Sequence, residues 1–170
     1  MYHEQRMTQD LAGSIAQWCY PEPYDMYSFG TDPEAATELM NGTYRAILDD
    51  QGRLRGYYCV GTGAQVPGGE EFYNQNRQQE VVDVGLGMNP LFVGGGEGRN
   101  FVGAVLALAG RQRPEAIFRL TVAAFNQRAI RVYEALGFRE IGQFSGKRRP
   151  DLVFMVMVHH QGGCCAEPWP

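Results

Sequence analysis

Apolar residues recur at helical spacing in Leu11, Ile15 and Trp18, which predicts a helix over residues 8–19 with Asp10 in its first turn. Pro21 and Pro23 end it and open a segment, residues 20–29, dense in aromatic side chains. A second, short helix is predicted from Asp32 as N-cap and Pro33 at the first helical position to the stop at Asn41-Gly42. Residues 44–48 and 54–60 read as two strands of a hairpin, turned at Asp50-Gln51-Gly52. Residues 61–80 are polar and without period, which predicts a loop. Residues 81–88 form a strand, followed by Asn89-Pro90 and a glycine cluster at 94–98. Residues 99–111 are helical, with Phe101, Val105 and Leu108 on one face. Beyond Pro114 come a strand at 116–123, a helix at 126–136 closed by Gly137 at C′, and strands at 138–144 and 152–158.

This order predicts a mixed α/β (α+β) fold: one domain over residues 1–160, a mainly antiparallel twisted sheet and helices on both faces, with residues 161–170 a flexible tail. A length of 170 residues suits one domain. The longest apolar run covers residues 101–109, too short for the roughly 18 residues a membrane span needs. The polar start at residues 1–6 has no apolar h-region, so no secretory signal is expected and the cytoplasm is the default compartment. Cys19, Cys59, Cys164 and Cys165 show no C-x-x-C spacing. His159-His160 followed by Cys164-Cys165 could form a metal cluster, but Gln161-Gly162-Gly163 between them and Pro168-Trp169-Pro170 after them read as a tail with incidental thiols, and no metal is expected.

Charge changes the picture in one respect. Residues 1–98 carry five basic and fourteen acidic side chains, and residues 99–149 carry ten basic and three acidic, within a net charge of −4. The total excludes a general nucleic-acid binder, which favours basic domains. The split predicts an anion-receiving second region and a first region suited to cations, against the plain alternative of solvated surface.

Chemistry concentrates in two segments. In the first, a strand feeds Val93-Gly94-Gly95-Gly96-Glu97-Gly98-Arg99 and then a helix. Glycines at a helix N-terminus let several N–H groups approach a phosphate. No Gly-Lys-Ser/Thr follows, which excludes a P-loop, and G-x-G-x-x-G fails because Arg99 occupies the last position. Taken alone, the loop reads equally as a structural turn. The second segment reads Asn126-x-x-Ala129-x-x-x-Tyr133-x-x-x-Gly137-Phe138 after a strand. Together the two motifs, over residues 81–138, closely resemble the GNAT acetyltransferase superfamily, especially its ribosomal-protein alanine acetyltransferase branch. Val93 stands where the family usually has Gln or Arg.

The resemblance implies an acetyl-CoA-dependent N-acetyltransferase in which a primary amine attacks the thioester directly. It implies that Val93, Gly94, Gly95, Gly96, Glu97, Gly98 and Arg99 wrap the pyrophosphate. The backbone of Leu86, Gly87 and Met88 would pair with pantetheine, and the Met88 N–H would polarise the thioester carbonyl. Asn126 and Ala129 would hold the pantetheine arm, and Tyr133 would protonate the departing thiolate; their plain readings are an N-cap and a core ring. The base stays open between Asp83, a water chain and a group in the aromatic segment. Tyr20, Tyr24, Asp25 and Tyr27, with Glu22 near them, are expected to line the acceptor cleft. The acceptor is a small-molecule amine or a peptide N-terminus, and the split of charge favours a cationic amine. The protein is expected as monomer or homodimer, without nucleic acid or membrane. A non-catalytic acyl-CoA sensor or partner-binding module of the same fold is the alternative.

Overall fold

Two of the helices begin where a side-chain oxygen, of Thr8 and of Asn126, takes a backbone N–H, and strands run where β-branched and aromatic residues gather. A computed structural model gives the fold and describes residues 1–30, 34–111 and 113–160. In chain order the elements are β1 (Tyr2–Arg6), α1 (Gln9–Ala16), α2 (Ala35–Leu39), β2 (Tyr44–Asp49) and β3 (Leu54–Val60). Then come α3 (Glu70–Tyr73), β4 (Val81–Met88), α4 (Gly98–Gly110), β5 (Ile117–Ala123), α5 (Gln127–Ala135), β6 (Arg139–Ser145) and β7 (Val153–His160). The strand order is β1-β2-β3-β4-β5-β7-β6. Pairing is antiparallel for β1 with β2, β2 with β3, β5 with β7 and β6 with β7. It is parallel for β4 with β5, registered over Val81–Asp83 against Ile117–Arg119. The fold is thus a single α/β domain with a mainly antiparallel sheet.

Within it the chain forms two compact units, and β4 and α4 are each divided between them. The first unit is Met1–Cys59 with Leu86–Val105. Thr8 Oγ1 accepts the Leu11 N–H at 3.3 Å and starts α1, which buries Ala12 and Ile15. The β2–β3 hairpin closes through Asp49, whose carboxylate accepts the N–H groups of Gln51 and Arg53 at 3.0 Å each. Phe101, 1% exposed, anchors the first half of α4 and meets the Tyr2 ring edge-on at 5.8 Å. Burying such a ring is worth roughly 2–3 kcal/mol.

The second unit is Val60–Gly85 with the described residues from Leu106 to His160. β5 is buried along almost its whole length, with Ile117 and Phe118 fully so. The end of α5 is a Schellman turn: the Phe138 N–H donates to the Tyr133 carbonyl and the Gly137 N–H to that of Glu134, with Gly137 at φ +91°.

Three expectations change. Residues 2–6 form a strand that the polar pattern does not announce, because an edge strand with four exposed residues has no apolar face to read. Residues 61–80 are built: they contain a 3-10 turn at Gly61–Ala64 and α3, and Phe72 and Tyr73 pack on Phe144 at 6.0 and 6.3 Å. The Lys147 N–H donates to the Pro67 carbonyl at 2.8 Å, tying this segment to the β6–β7 turn. The helix expected over residues 8–19 is shorter and ends at Ala16. Asp32, Pro33 and residues 161–170, with Cys164 and Cys165, lie outside the described residues.

Candidate active site

In the first unit, β4 ends against β3 at unusually close range. A Cβ on Gly56 would strike the Gly87 carbonyl at 2.5 Å, and a Cβ on Gly87 would strike the Tyr57 ring at 2.5 Å. Both glycines are needed for that approach. Around Tyr57 stand Trp18, Phe29 and Tyr44, each with its ring centroid 6.0 Å away. Burial pushes the Tyr57 phenol up, with a further push from the Glu38 carboxylate. Tyr44 is raised by burial and donates to Glu38 Oε1 at 2.9 Å. Tyr20 is also raised by burial; its hydroxyl donates to the Met88 carbonyl at 2.8 Å. These three phenols stay neutral at physiological pH, and those of Tyr20 and Tyr44 serve as hydrogen-bond donors.

The aromatic segment closes on itself. The Tyr20 N–H donates to Ser28 Oγ at 2.9 Å, and Asp25–Tyr27 form a 3-10 turn. Of the acceptor candidates, Tyr20 is brought to the end of β4. Tyr24 and Tyr27 are half-buried and Asp25 is exposed.

After β4 the Asn89 side chain stitches the chain in place. It accepts the Leu91 N–H at 3.0 Å and donates to the Leu54 carbonyl at 2.9 Å. Residues 90–92 form a 3-10 turn that takes the Val93 N–H to the Pro90 carbonyl at 3.3 Å. Gly94, Gly95 and Gly96 are exposed, with Gly94 at φ +91° and Gly96 at φ +77°. The first helical bond of α4 runs from the Phe101 N–H to the Glu97 carbonyl at 2.9 Å. The N–H groups of Gly98, Arg99 and Asn100 therefore precede the helical ladder and lie at its positive end. Exposed glycine backbone in the left-handed region running into a helix N-terminus fits a pyrophosphate. The Glu97 carboxylate turns elsewhere, to the Tyr2 hydroxyl at 2.9 Å and to the Arg55 guanidinium.

In the second unit, Asn126 is buried and its Oδ1 accepts the Ala129 N–H at 3.2 Å, the cap of α5. Ala129 spends its N–H on that bond. A pantetheine carbonyl would need the Nδ2 of Asn126 instead. Tyr133 is 8% exposed and its ring lies 5.8 Å from that of Phe138. Asp83 is buried and fully engaged: Arg119 donates Nε to Oδ1 at 2.6 Å and Nη2 to Oδ2 at 2.9 Å, and Gln65 donates to Oδ2 at 2.7 Å. Arg119 also donates to the Phe72 carbonyl. The pair lines a polar cavity of about 580 Å³ with Gln65, Tyr73 and Arg77.

The sequence reading missed Trp18, Phe29 and Tyr57 as one cluster, and missed Arg55 and Arg119. A charge inside an apolar strand, as in Leu54-Arg55-Gly56-Tyr57 and Phe118-Arg119-Leu120, was the available signal for a buried partner. Among the described residues no helix is long and apolar enough to cross a membrane, and no three His, Cys, Asp or Glu side chains group as metal ligands.

The chain is similar in structure to a spermidine N-acetyltransferase SpeG chimera from Vibrio cholerae and hSSAT, at 19% identity, TM-score 0.62, covering 94% of this chain and 96% of that one. It is similar to aminoglycoside acetyltransferase AAC(6')-Ib in complex with coenzyme A, at 18% identity, TM-score 0.70 and coverage of 94% and 95%. A GNAT-family acetyltransferase from Bacillus anthracis gives 12% identity, TM-score 0.68 and 94% coverage of each chain. No curated protein matches the chain in sequence. The family model for the acetyltransferase (GNAT) family matches residues 12–138, which takes in the glycine loop, the capped α5 and its Gly137-Phe138 stop, and the chain belongs to that family.

Proposed function

We propose that the protein transfers the acetyl group of acetyl-CoA to the primary amine of a cationic acceptor. The observation that carries this reading is the exposed glycine run 94–96, two of its residues at positive φ, leading into the N-terminus of α4. Acetyl-CoA supplies the acetyl group activated as a thioester. Gly94 to Arg99 would bind its pyrophosphate through backbone N–H groups. Leu86 to Met88 would align the pantetheine arm, with the Met88 N–H aimed at the thioester oxygen as a donor for developing negative charge. Asn126 would hold the arm and Tyr133 would return a proton to the sulfur, the roles their matches to the family motif imply.

Asp83 is not proposed as the base. Its two oxygens are held by Arg119 and Gln65. Along β4 it lies five residues from Met88, about 17 Å at the usual strand rise. The amine is instead proposed to lose its proton to water before attack, which predicts rising activity towards mildly alkaline pH. A cationic acceptor is supported by the aromatic cluster of Trp18, Tyr20, Phe29 and Tyr57 with the Glu38 carboxylate beside Tyr57. Aromatic faces and a carboxylate attract an ammonium.

The engagement of Asp83 also favours a second reading, an acyl-CoA-binding sensor without turnover. Calorimetry with acetyl-CoA, followed by thiol release across a panel of polyamines, aminoglycosides and peptides, separates the two. Binding with turnover of a cationic amine is the expected result. Binding without turnover of any acceptor supports the sensor, and absence of binding overturns both.

A further inference from the structure

Arg55 is the most heavily engaged buried cation of the first unit. It lies on β3 with its side chain 6% exposed. The guanidinium carbon stands 3.6 Å from the centre of the Phe92 ring, a close stack. One terminal nitrogen donates to the Glu97 carboxylate and the other to Asp49 Oδ2 at 3.4 Å. The Tyr2 hydroxyl donates to the same Glu97 oxygen at 2.9 Å. The backbone carbonyl of Arg55 accepts the Asn89 N–H at 2.8 Å. Phe92 and Glu97 bracket the glycine run 94–96, so one side chain grips the chain on both sides of it, and its own backbone holds the end of β4.

We infer that Arg55 is a positioning residue: it fixes both ends of the glycine loop and neutralises Glu97, so that the loop can receive the pyrophosphate of coenzyme A. The inference rests on the acetyl-CoA reading. Two physical costs explain why such a residue is needed. Glycines lose more conformational freedom on ordering than other residues, and a loop fixed beforehand spares the ligand that loss. Glu97 also places a carboxylate inside a segment meant to bind an anion, where an unpaired charge would repel the phosphates. Pairing with Arg55 and Tyr2 turns that carboxylate away from the exposed glycine backbone and cancels it. Only a planar guanidinium can stack on Phe92 and pair with Glu97 and Asp49 together; a lysine ammonium offers one point charge and no stacking face.

The test compares coenzyme A, measured by titration calorimetry, with S-acetyl-pantetheine, an acetyl donor lacking the pyrophosphate, measured by kcat/KM. Arg55→Met keeps an unbranched apolar stem and removes the guanidinium with its charge. It should raise the Kd for coenzyme A about 10-fold or more. Glu97→Gln added to Arg55→Met should restore part of that loss, because the repelling charge is gone while the stack on Phe92 stays lost. The kcat/KM for S-acetyl-pantetheine should change less than about 3-fold in Arg55→Met, since that donor does not reach the loop. If Arg55→Met does not fold, Arg55→Lys and Tyr2→Phe carry the test, with Kd rises of about 5-fold and 2-fold. Equal losses for coenzyme A and S-acetyl-pantetheine, or no rescue by Glu97→Gln, overturn the inference: Arg55 then only supports the fold. Unchanged affinity in every folded variant overturns it too, while wild-type binding of coenzyme A leaves the acetyltransferase reading standing. A wild type that binds no coenzyme A overturns both.

Discussion

The hydroxyl of Tyr20 donates to the carbonyl of Met88 at 2.8 Å, joining the aromatic segment to the last residue of β4. The peptide unit after Met88 is held from both sides, because its N–H, that of Asn89, donates to the Arg55 carbonyl at 2.8 Å. Met88 is also the residue whose N–H is proposed to face the thioester, so an acceptor-side tyrosine bears on the donor-side backbone.

Tyr20→Phe keeps the ring and removes that bond. A lost hydrogen bond of this kind costs about 1 kcal/mol, measurable by urea denaturation. The expected catalytic result is a kcat about 5-fold lower with the Kd for acetyl-CoA unchanged, the pattern of a contact that matters in the transition state. An unchanged kcat would leave Tyr20 a packing residue.

Tyr57 gives stability a dependence on pH. Burial raises its phenol above the ordinary value near 10, so the unfolded chain loses this proton before the folded one. The stabilisation is complete below about pH 10 and falls as pH rises towards the folded-state value, by at most about 1.4 kcal/mol per pH unit. Denaturation at pH 9, 10 and 11 should show this loss, and Tyr57→Phe should lessen it, with Tyr20 and Tyr44, also raised by burial, keeping the remainder.

Gly96 has φ +77° and open space where a Cβ would stand. Gly96→Val therefore meets no neighbour but forces a β-branched residue into the left-handed region, at about 1–2 kcal/mol. The variant should fold and lose acetyl-CoA affinity by calorimetry. Retained affinity would remove the loop from the binding site.

Tyr133→Phe should lower kcat about 100-fold or more and leave acetyl-CoA affinity intact, if the hydroxyl protonates the leaving thiolate. The ring is packed against Phe138, which the substitution preserves. A kcat within about 2-fold of wild type would make Tyr133 a core residue alone.

Asp83→Asn removes the partner of a buried arginine. Leaving Arg119 unpaired should cost about 3–5 kcal/mol of stability, read by thermal or urea unfolding. Where the variant stays folded, the pH profile of kcat/KM should keep its shape. A lost acidic limb would restore Asp83 as the base.

Much of this protein is legible before any coordinates. The periodic stretches gave most of the strands and helices because their apolar faces repeat at 2 or 3.6 residues, and Asn126 and Gly137 mark helix ends by local chemistry that needs no tertiary context. The glycine loop and the Asn126–Phe138 motif identify the family for the same reason: backbone contacts to a phosphate demand glycines in sequence, and a capped helix demands its residues at set spacing.

Tertiary structure alone decided the rest, because long-range pairing leaves no local period. β1 is an edge strand with an exposed polar face, visible only through its register on β2. Asp83 looks like an available carboxylate until Arg119, 36 residues away, occupies both its oxygens. Glu97 looks like part of a phosphate loop until Tyr2 and Arg55 draw its side chain off. Trp18, Phe29, Tyr44 and Tyr57 are separate aromatics along the chain and one cluster in space. Charges and rings find partners by position in the fold, and burial makes that choice strong, since an unpaired charge out of water costs far more than any local preference can return.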